Sequence, residues 1–178
     1  MILVTIGTML PFDRLIMRMD AWAAHHGSEE VIAQIGEGKY EPRNMRWTRL
    51  LPPKDFIGLA RRSAVIVSHA GTGSYFLAAE ISKPIVMLPR LAAKLEHTTD
   101  HQVHTARWLS DKPGVYVAAT DEELTPAIEM ALKRRVPSMD DFSPVAPLPF
   151  ISRIRAYLII ERMTPRPRLA TRSKEGLA

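Results

Sequence analysis

Two short stretches of the chain carry glycines where a phosphate could bind. Gly71 and Gly73, with Thr72 and Ser74, follow a run of small and β-branched residues and precede a helical pattern. A strand, a glycine turn and a helix N-terminus make an anion site, because unpaired N–H groups and the helix dipole face the ligand. Glycine also lets the backbone approach a phosphate. Alternatively, both glycines only shape the turn, since short glycine motifs match by chance.

Other side chains suited to chemistry follow the ends of predicted strands. Gly7 and Thr8 come after the first strand, and Arg90 comes after the fifth. The guanidinium of Arg90 is predicted to pair with a pyrophosphate or with the carboxylate of a uronic acid. His69 either faces the same cleft or is a hydrogen-bonded histidine of the core, and both interpretations stay open.

Strands and helices alternate along the chain, and this alternation must position the glycine loops. Apolar and β-branched runs predict six strands, at residues 2–6, 31–35, 45–50, 64–68, 85–88 and 115–117. Amphipathic patterns bounded by glycine or proline predict six helices, at residues 12–24, 55–62, 74–82, 99–109, 121–134 and 150–163. The proline-rich segment 137–149 is predicted to be a loop.

The alternation predicts an α/β fold, a Rossmann-like doubly wound parallel sheet covered on both faces. For six strands the commonest order is 3-2-1-4-5-6, which places the first and fourth strands side by side at the point where ligands bind. These are the two strands that end in Gly7–Thr8 and in the glycine turn 71–73. We therefore expect the two loops to form one phosphate site.

The formal net charge of +5 is unevenly distributed along the chain. Residues 151–178 contain seven basic and two acidic side chains, so the rest of the chain is balanced. Residues 1–163 are predicted to form one domain, and residues 164–178 a disordered basic tail. The basic residues lack interleaved aromatics and a nucleic-acid motif, so an anionic membrane or an acidic partner fits better than nucleic acid. A merely solvated tail is the alternative.

Several cofactor classes are disfavoured by the motifs. The first strand–helix turn lacks G-x-G-x-x-G, and neither a Walker sequence nor a D-x-D motif is present, which argues against an NAD or ATP enzyme and a metal–nucleotide site. The chain has no cysteine, which excludes disulfides and thiolate chemistry. His97, His101 and His104 could share a helix side, but His97 precedes the predicted helix, so we expect no metal site.

The predicted location is cytoplasmic. The first residues lack the basic region and cleavage pattern of a signal peptide. No apolar run approaches the ~20 residues of a membrane span.

Three separated motifs, over roughly residues 1–110, resemble the C-terminal domain of family 28 glycosyltransferases. They lie at residues 4–16, 68–74 and 83–102, and the third contains a Pro-Arg, Glu-His and Asp-His-Gln series. The resemblance implies half of a GT-B enzyme that binds a UDP-sugar donor, either UDP-glucuronate, UDP-GlcNAc or a UDP-hexose. It also implies inverting transfer without a metal or another cofactor.

The members of that family that this chain resembles include small subunits of two-chain transferases, among them bacterial exopolysaccharide enzymes. A GT-B site lies between two Rossmann-like domains, and 178 residues supply only one. The resemblance therefore implies a membrane-anchored partner subunit that supplies the acceptor domain, and a lipid-linked acceptor in exopolysaccharide synthesis. The chain would then lie peripherally on the inner face of the membrane, held through its partner.

By the resemblance, the backbone of residues 71–74 holds the UDP diphosphate, and the first glycine loop closes the other side. The residues implied in donor binding are Gly7, Thr8, His69, Gly71, Thr72, Gly73, Ser74, Arg90, Glu96, His97, Asp100, His101 and Gln102. No general base can be assigned, although His69, Glu96 and Asp100 are candidates. Relatives often carry a ribose-binding glutamate where this chain has Leu77, so ribose recognition stays open.

Asp100 and Gln102 match positions that hydrogen-bond sugar hydroxyls in relatives. The alternative is helix capping, in which Asp100 favours the helix dipole and Gln102 forms a capping box with Thr99.

Two other functions stay open. One is a UDP-sugar 2-epimerase-like enzyme, which shares the fold but is normally about twice this length. The other is a non-catalytic UDP-sugar-binding regulatory subunit. The last predicted helix carries Ile151, Ile154, Leu158 and Ile159 on one side, and it either docks on a partner, lies on a membrane surface or covers the domain.

Overall fold

A computed structural model of the protein describes residues 1–133, 146 and 148–163. The chain divides into two compact units, residues 1–141 and residues 142–178, and each is described by itself. The predicted tail 164–178 and most of the predicted loop 137–149 lie outside the described residues. The predicted domain boundary after residue 163 stays a prediction.

The first unit contains one six-stranded sheet in which every pair of neighbours is parallel. The strands are β1 (Ile2–Thr5), β2 (Val31–Gln34), β3 (Arg46–Thr48), β4 (Val65–His69), β5 (Ile85–Leu88) and β6 (Val115–Val117). Their order is β3-β2-β1-β4-β5-β6, which confirms the predicted doubly wound fold and its order. The switch point therefore lies between β1 and β4.

Five helices of this unit pack on the two faces of the sheet. They are α1 (Asp13–His25), α2 (Pro53–Arg62), α3 (Thr72–Glu80), α4 (His101–Leu109) and α5 (Leu124–Lys133). One core layer joins α1 and α5 to the sheet, and the other joins α2, α3 and α4 to the opposite face. Helices on both faces explain why the central strands are buried along their whole length.

Three helix starts differ from the sequence prediction. α2 begins at Pro53 rather than at 55, because proline fits the first helical position. α3 begins at Thr72, so Gly73 lies inside its first turn rather than before it. α4 begins at His101, with Asp100 as the N-cap and no side-chain capping bond. The predicted capping box of Thr99 and Gln102 is therefore wrong.

The second unit contains the helix α6 (Leu148–Met163), which begins two residues before its predicted start. Three of the four apolar residues predicted to share a side, Ile154, Leu158 and Ile159, are exposed. Within the described parts of the chain, no helix combines the length and apolar character that crossing a bilayer requires.

Candidate functional site

A cavity of about 540 Å³ opens at the carboxyl edge of the sheet, where β1, β3 and β4 end. Its volume lies in the range of small-ligand sites. Five of the predicted donor-binding residues line it, namely Gly7, Thr8, His69, Gly73 and Ser74. The two glycine loops, which are 60 residues or more apart in sequence, are thus walls of one cavity.

Three buried polar side chains lie at or next to the ends of neighbouring strands beside this cavity. Thr5 of β1 lies in register with Gln34 of β2 on one side and with Ser68 of β4 on the other. All three are nearly inaccessible to solvent. Thr5 and Gln34 are not among the site residues predicted from the sequence. The available signal was a polar residue at the last position of a strand that is otherwise apolar.

These polar side chains hold the loops around the cavity. The hydroxyl of Thr5 accepts a hydrogen bond from the Gly7 N–H at 3.3 Å. The Gln34 Oε1 accepts from the Leu51 N–H at 3.0 Å, which fixes the loop between β3 and α2. The Ser68 hydroxyl donates to the Ser74 hydroxyl at 2.8 Å, which fixes the first turn of α3.

The start of α3 leaves its first amides open for a ligand. Its N-cap is Gly71, and no side chain caps the helix. The first N–H groups of any helix have no partner within the helix, and the dipole makes this end positive. At Gly73 an added Cβ would meet no atom within 4 Å, so the space in front of this residue is open.

The His69 ring is wedged between the two glycine loops. A Cβ at Gly71 would lie 2.3 Å from the His69 Nε2, and one at Gly7 would lie 2.8 Å from the ring. Burial, together with the charges of Arg90 and His97, lowers the pKa of His69 to about 4. The imidazole is therefore neutral at pH 7, and so low a pKa is a poor match for a general base. The catalytic role of His69 stays a prediction.

Gly71→Ala is expected to destabilise the fold by about 1–3 kcal/mol, because the new methyl group overlaps the His69 ring. In the background of His69→Ala the same substitution should cost much less, since the overlapping ring is absent. Denaturant unfolding of the four proteins of this double-mutant cycle measures the coupling. Additive losses would show that the two residues do not pack as described.

The far wall of the cavity is apolar. Leu50 and Leu51 come from the loop between β3 and α2, Phe56 from α2 and Leu77 from α3. Of these four, only Leu77 is named in the sequence prediction, as a departure from the family, and the other three are not predicted. No sequence signal marks them, because their position depends on how α2 packs beside the sheet.

Arg90 lies beneath the first glycine loop and not on the cavity wall. Its side chain is 3% exposed, and its Nη2 donates to the carbonyl oxygens of Ile6 and Leu10. A guanidinium held in this way presents no open face to a pyrophosphate or a uronate. In this structure Arg90 contacts the backbone of the first glycine loop, and its direct pairing with the donor stays a prediction.

Glu96 is part of an ion-pair network rather than a free carboxylate. Its two oxygens accept from the Nε and Nη2 of Arg14 at 2.6 and 2.8 Å. Arg14 also pairs with Asp121 and donates to the Pro89 carbonyl, which links α1 to the loops after β5 and β6. The structure therefore shows Glu96 joined to Arg14, and its predicted catalytic role stays a prediction.

Four more predicted residues, which are His97, Asp100, His101 and Gln102, lie near the start of α4, outside the cavity wall, whereas Thr72 is the first residue of α3. The Asp100 Oδ1 accepts from the Ala92 N–H at 2.8 Å, and the buried Gln102 Oε1 accepts from the Arg90 N–H at 3.1 Å. His97 and His101 contact each other edge to face. Their contact with a sugar stays a prediction. In the described part of the chain, no group of three or more metal-binding side chains is found.

The fold is similar to several solved structures. The glycotransferase of kitacinnamycin superposes with a TM-score of 0.56 and 18% identity, over 92% of this chain and 43% of that chain. The glycosyltransferase SnogD from Streptomyces nogalater superposes with a TM-score of 0.52 and 19% identity, over 74% of this chain and 34% of that chain. Methanocaldococcus jannaschii UDP-GlcNAc 2-epimerase, in complex with UDP-GlcNAc and UDP, superposes with a TM-score of 0.55 and 12% identity. The match covers 89% of this chain and 45% of that chain.

These comparisons show the architecture of one Rossmann-like half of a GT-B glycosyltransferase. The chain spans less than half the length of each of these structures. No curated protein sequence matches the chain. The sequence profile of the glycosyltransferase family 28 C-terminal domain matches residues 1–137, which include the whole sheet and both glycine loops. On this match and this fold, the chain belongs to the glycosyltransferase family 28 C-terminal domain family.

Proposed function

We propose that this chain is the donor-binding half of an inverting, metal-independent UDP-sugar glycosyltransferase. A second domain or subunit supplies the acceptor side, and the acceptor is a lipid-linked sugar used in exopolysaccharide synthesis. In this proposal the chain is held at the inner face of the membrane through that partner. The donor is UDP-glucuronate, UDP-GlcNAc or another UDP-hexose.

The single observation that carries the proposal is the cavity shared by the two glycine loops. Gly7 and Thr8 face Gly73 and Ser74 across the switch point between β1 and β4. Such a crevice at the carboxyl ends of parallel strands is where nucleotides bind in doubly wound folds. The apolar wall of Leu50, Leu51 and Phe56 offers a surface for a flat base at the other end of the same cavity.

The start of α3 supplies the chemistry that sugar transfer needs. The acceptor hydroxyl attacks the anomeric carbon, the bond to the diphosphate oxygen breaks, and its electrons remain on the departing UDP. Attack from the opposite face inverts the anomeric configuration, and the hydroxyl proton passes to a base. Open N–H groups and the helix dipole at residues 72–74 stabilise the charge that grows on the diphosphate.

Exposed apolar side chains around the cavity support the proposal that a second domain or subunit packs against this edge of the sheet. Met9 is 88% exposed and Leu95 is 94% exposed, and Leu50 between β3 and α2 is also exposed. All three lie in loops that follow parallel strands, so they surround the same edge of the sheet. Large apolar side chains gathered in this way are typical of a surface that another protein covers.

Calorimetry with UDP, uridine, ADP and a panel of UDP-sugars tests the donor part of the proposal. We expect UDP to bind more tightly than uridine and ADP, and to bind equally well in EDTA. If UDP did not bind, or bound only with a divalent metal, the proposal would fail. The transfer part is tested by co-expression with the protein encoded by a neighbouring gene, followed by release of UDP in the presence of membranes.

The two alternatives give different outcomes in the same samples. An epimerase changes the configuration at C2 of UDP-GlcNAc without an acceptor, which proton NMR detects directly. Its support here is the fold shared with the Methanocaldococcus jannaschii enzyme. A regulatory subunit binds the UDP-sugar and releases no UDP, whatever acceptor and partner are present.

A further inference from the structure

Arg90 follows β5 at the carboxyl edge of the sheet and reaches under the loop between β1 and α1. One nitrogen, Nη2, donates to the Ile6 carbonyl at 2.7 Å and to the Leu10 carbonyl at 2.6 Å. Ile6 and Leu10 flank the part of the loop that carries Gly7 and Thr8. A single guanidinium therefore ties together both ends of one phosphate-facing loop.

The charge of Arg90 has no hydrogen-bonded carboxylate among the residues that the structure describes. Its Nε is buried there without a partner. The guanidinium lies over one face of the Phe12 ring at 5.0 Å, and Arg14 lies 5.1 Å from the same ring. Burial lowers the pKa of Arg90 to about 10, against the opposing charge of Glu96, so the side chain is still a cation at pH 7.

A buried cation without a hydrogen-bonded carboxylate is costly for a fold, because only good partners offset the loss of its hydration. Two carbonyl oxygens and an aromatic face are partial compensation. An anion bound in front of the loop would supply the missing negative charge. Arg14, by contrast, is paired with two carboxylates and needs no such ligand.

We infer that Arg90 is the positioning residue of the phosphate site. Its guanidinium shapes the loop between β1 and α1 through the Ile6 and Leu10 carbonyls, and its buried charge favours an anionic ligand without touching it. The inference rests on the proposed function, because it assigns a role in the same UDP site. It goes further by naming the source of the positive potential.

The two contributions of Arg90 are separated by substitution. Arg90→Met removes both the bonds to the loop and the positive charge, whereas Arg90→Lys keeps the charge. In a site of low dielectric constant the field of one cation extends beyond its contacts, since Coulomb energy falls slowly with distance. The ratio of UDP affinity to uridine affinity therefore reports how much Arg90 favours the diphosphate, and comparison of Arg90→Met with Arg90→Lys assigns that preference to the charge.

The test compares UDP and uridine binding, by calorimetry and ligand-observed NMR, in the full chain and in three variants. Arg90→Met is expected to lower the UDP-to-uridine affinity ratio about tenfold. Arg90→Lys keeps the charge and should keep that ratio within about threefold. Arg49→Met is the matched control: Arg49 also bonds two loop carbonyls, Gly36 and Gly38, but it is half exposed and paired with Glu41. The UDP-to-uridine affinity ratio of Arg49→Met should equal that of the unaltered chain.

Equal weakening of UDP and uridine by Arg90→Met, or no change in either, would overturn the inference. Where Arg90→Met does not fold, hydrogen exchange of Arg90→Lys decides. We expect faster exchange at the amides of Thr8, Met9 and Leu10 and unchanged exchange in α4, and unchanged loop exchange would refute the role. Failure of the proposed function is distinct, because the unaltered chain would then not prefer UDP over uridine at all.

Discussion

Gly73→Ala is expected to lower UDP affinity about 100-fold while the stability of the fold is kept or increased. Gly73 lines the cavity, and its added methyl group would meet no protein atom within 4 Å. The methyl group therefore enters space that a bound phosphate needs. Loss of two hydrogen bonds to a charged group corresponds to about two orders of magnitude in affinity. Calorimetry with UDP measures the loss.

While UDP affinity falls, the stability of the Gly73→Ala variant should rise, because Gly73 lies in the first turn of α3. Alanine in place of a helical glycine gains up to about 1 kcal/mol. Gly58→Ala in α2 is the matched control, since Gly58 also has open space at its Cβ position and lies outside the cavity wall. We expect the same gain in denaturant unfolding and unchanged UDP binding. Normal UDP binding by Gly73→Ala would show that no phosphate lies at the start of α3.

Arg14→Met is expected to destabilise the first unit by about 3 kcal/mol, the largest stability effect expected from the ion pairs described. The substitution leaves Glu96 and Asp121 without their shared partner, and both carboxylates are only 11% exposed. It also frees the Pro89 carbonyl, so three segments of the carboxyl edge lose their common attachment. Equilibrium unfolding in urea measures the change.

Arg46→Met is the control for that loss. Arg46 pairs with Glu30 on the surface, where both side chains are largely exposed, and such pairs contribute below about 0.5 kcal/mol. A similar loss in both variants would mean that the Arg14 network is no stronger than a surface pair.

At acid pH the difference in free energy of unfolding between Arg14→Met and the unaltered chain should become smaller. Burial raises the pKa of Asp121, but the hydrogen bond and charge of Arg14 outweigh burial and lower that pKa below its ordinary value. The unfolded chain therefore takes up the Asp121 proton first as the pH falls, and the stabilisation that Arg14 provides is lost. Urea unfolding at pH 7 and below pH 4 tests this, and a constant difference would contradict it.

Local sequence patterns determined the strands, their order in the sheet and the position of the glycine loops. The apolar runs at β1, β4 and β5 and the glycines after β1 and β4 predict strands, their order and the shared cavity edge, because buried parallel strands need continuous apolar runs. The family motifs predicted the same half of a GT-B enzyme. Gly7, Thr8, Gly73 and Ser74 meet at the cavity as the switch-point argument requires.

Only the tertiary structure decided what the charged side chains do. The sequence places Arg90 and Glu96 after β5, and that position alone is equally compatible with contact to a ligand or to the protein. The choice depends on groups from distant segments, the carbonyls of Ile6 and Leu10 for Arg90 and the guanidinium of Arg14 for Glu96. Long polar side chains reach several elements, so their partners are fixed by packing, whereas glycines act through the local backbone that the sequence already specifies.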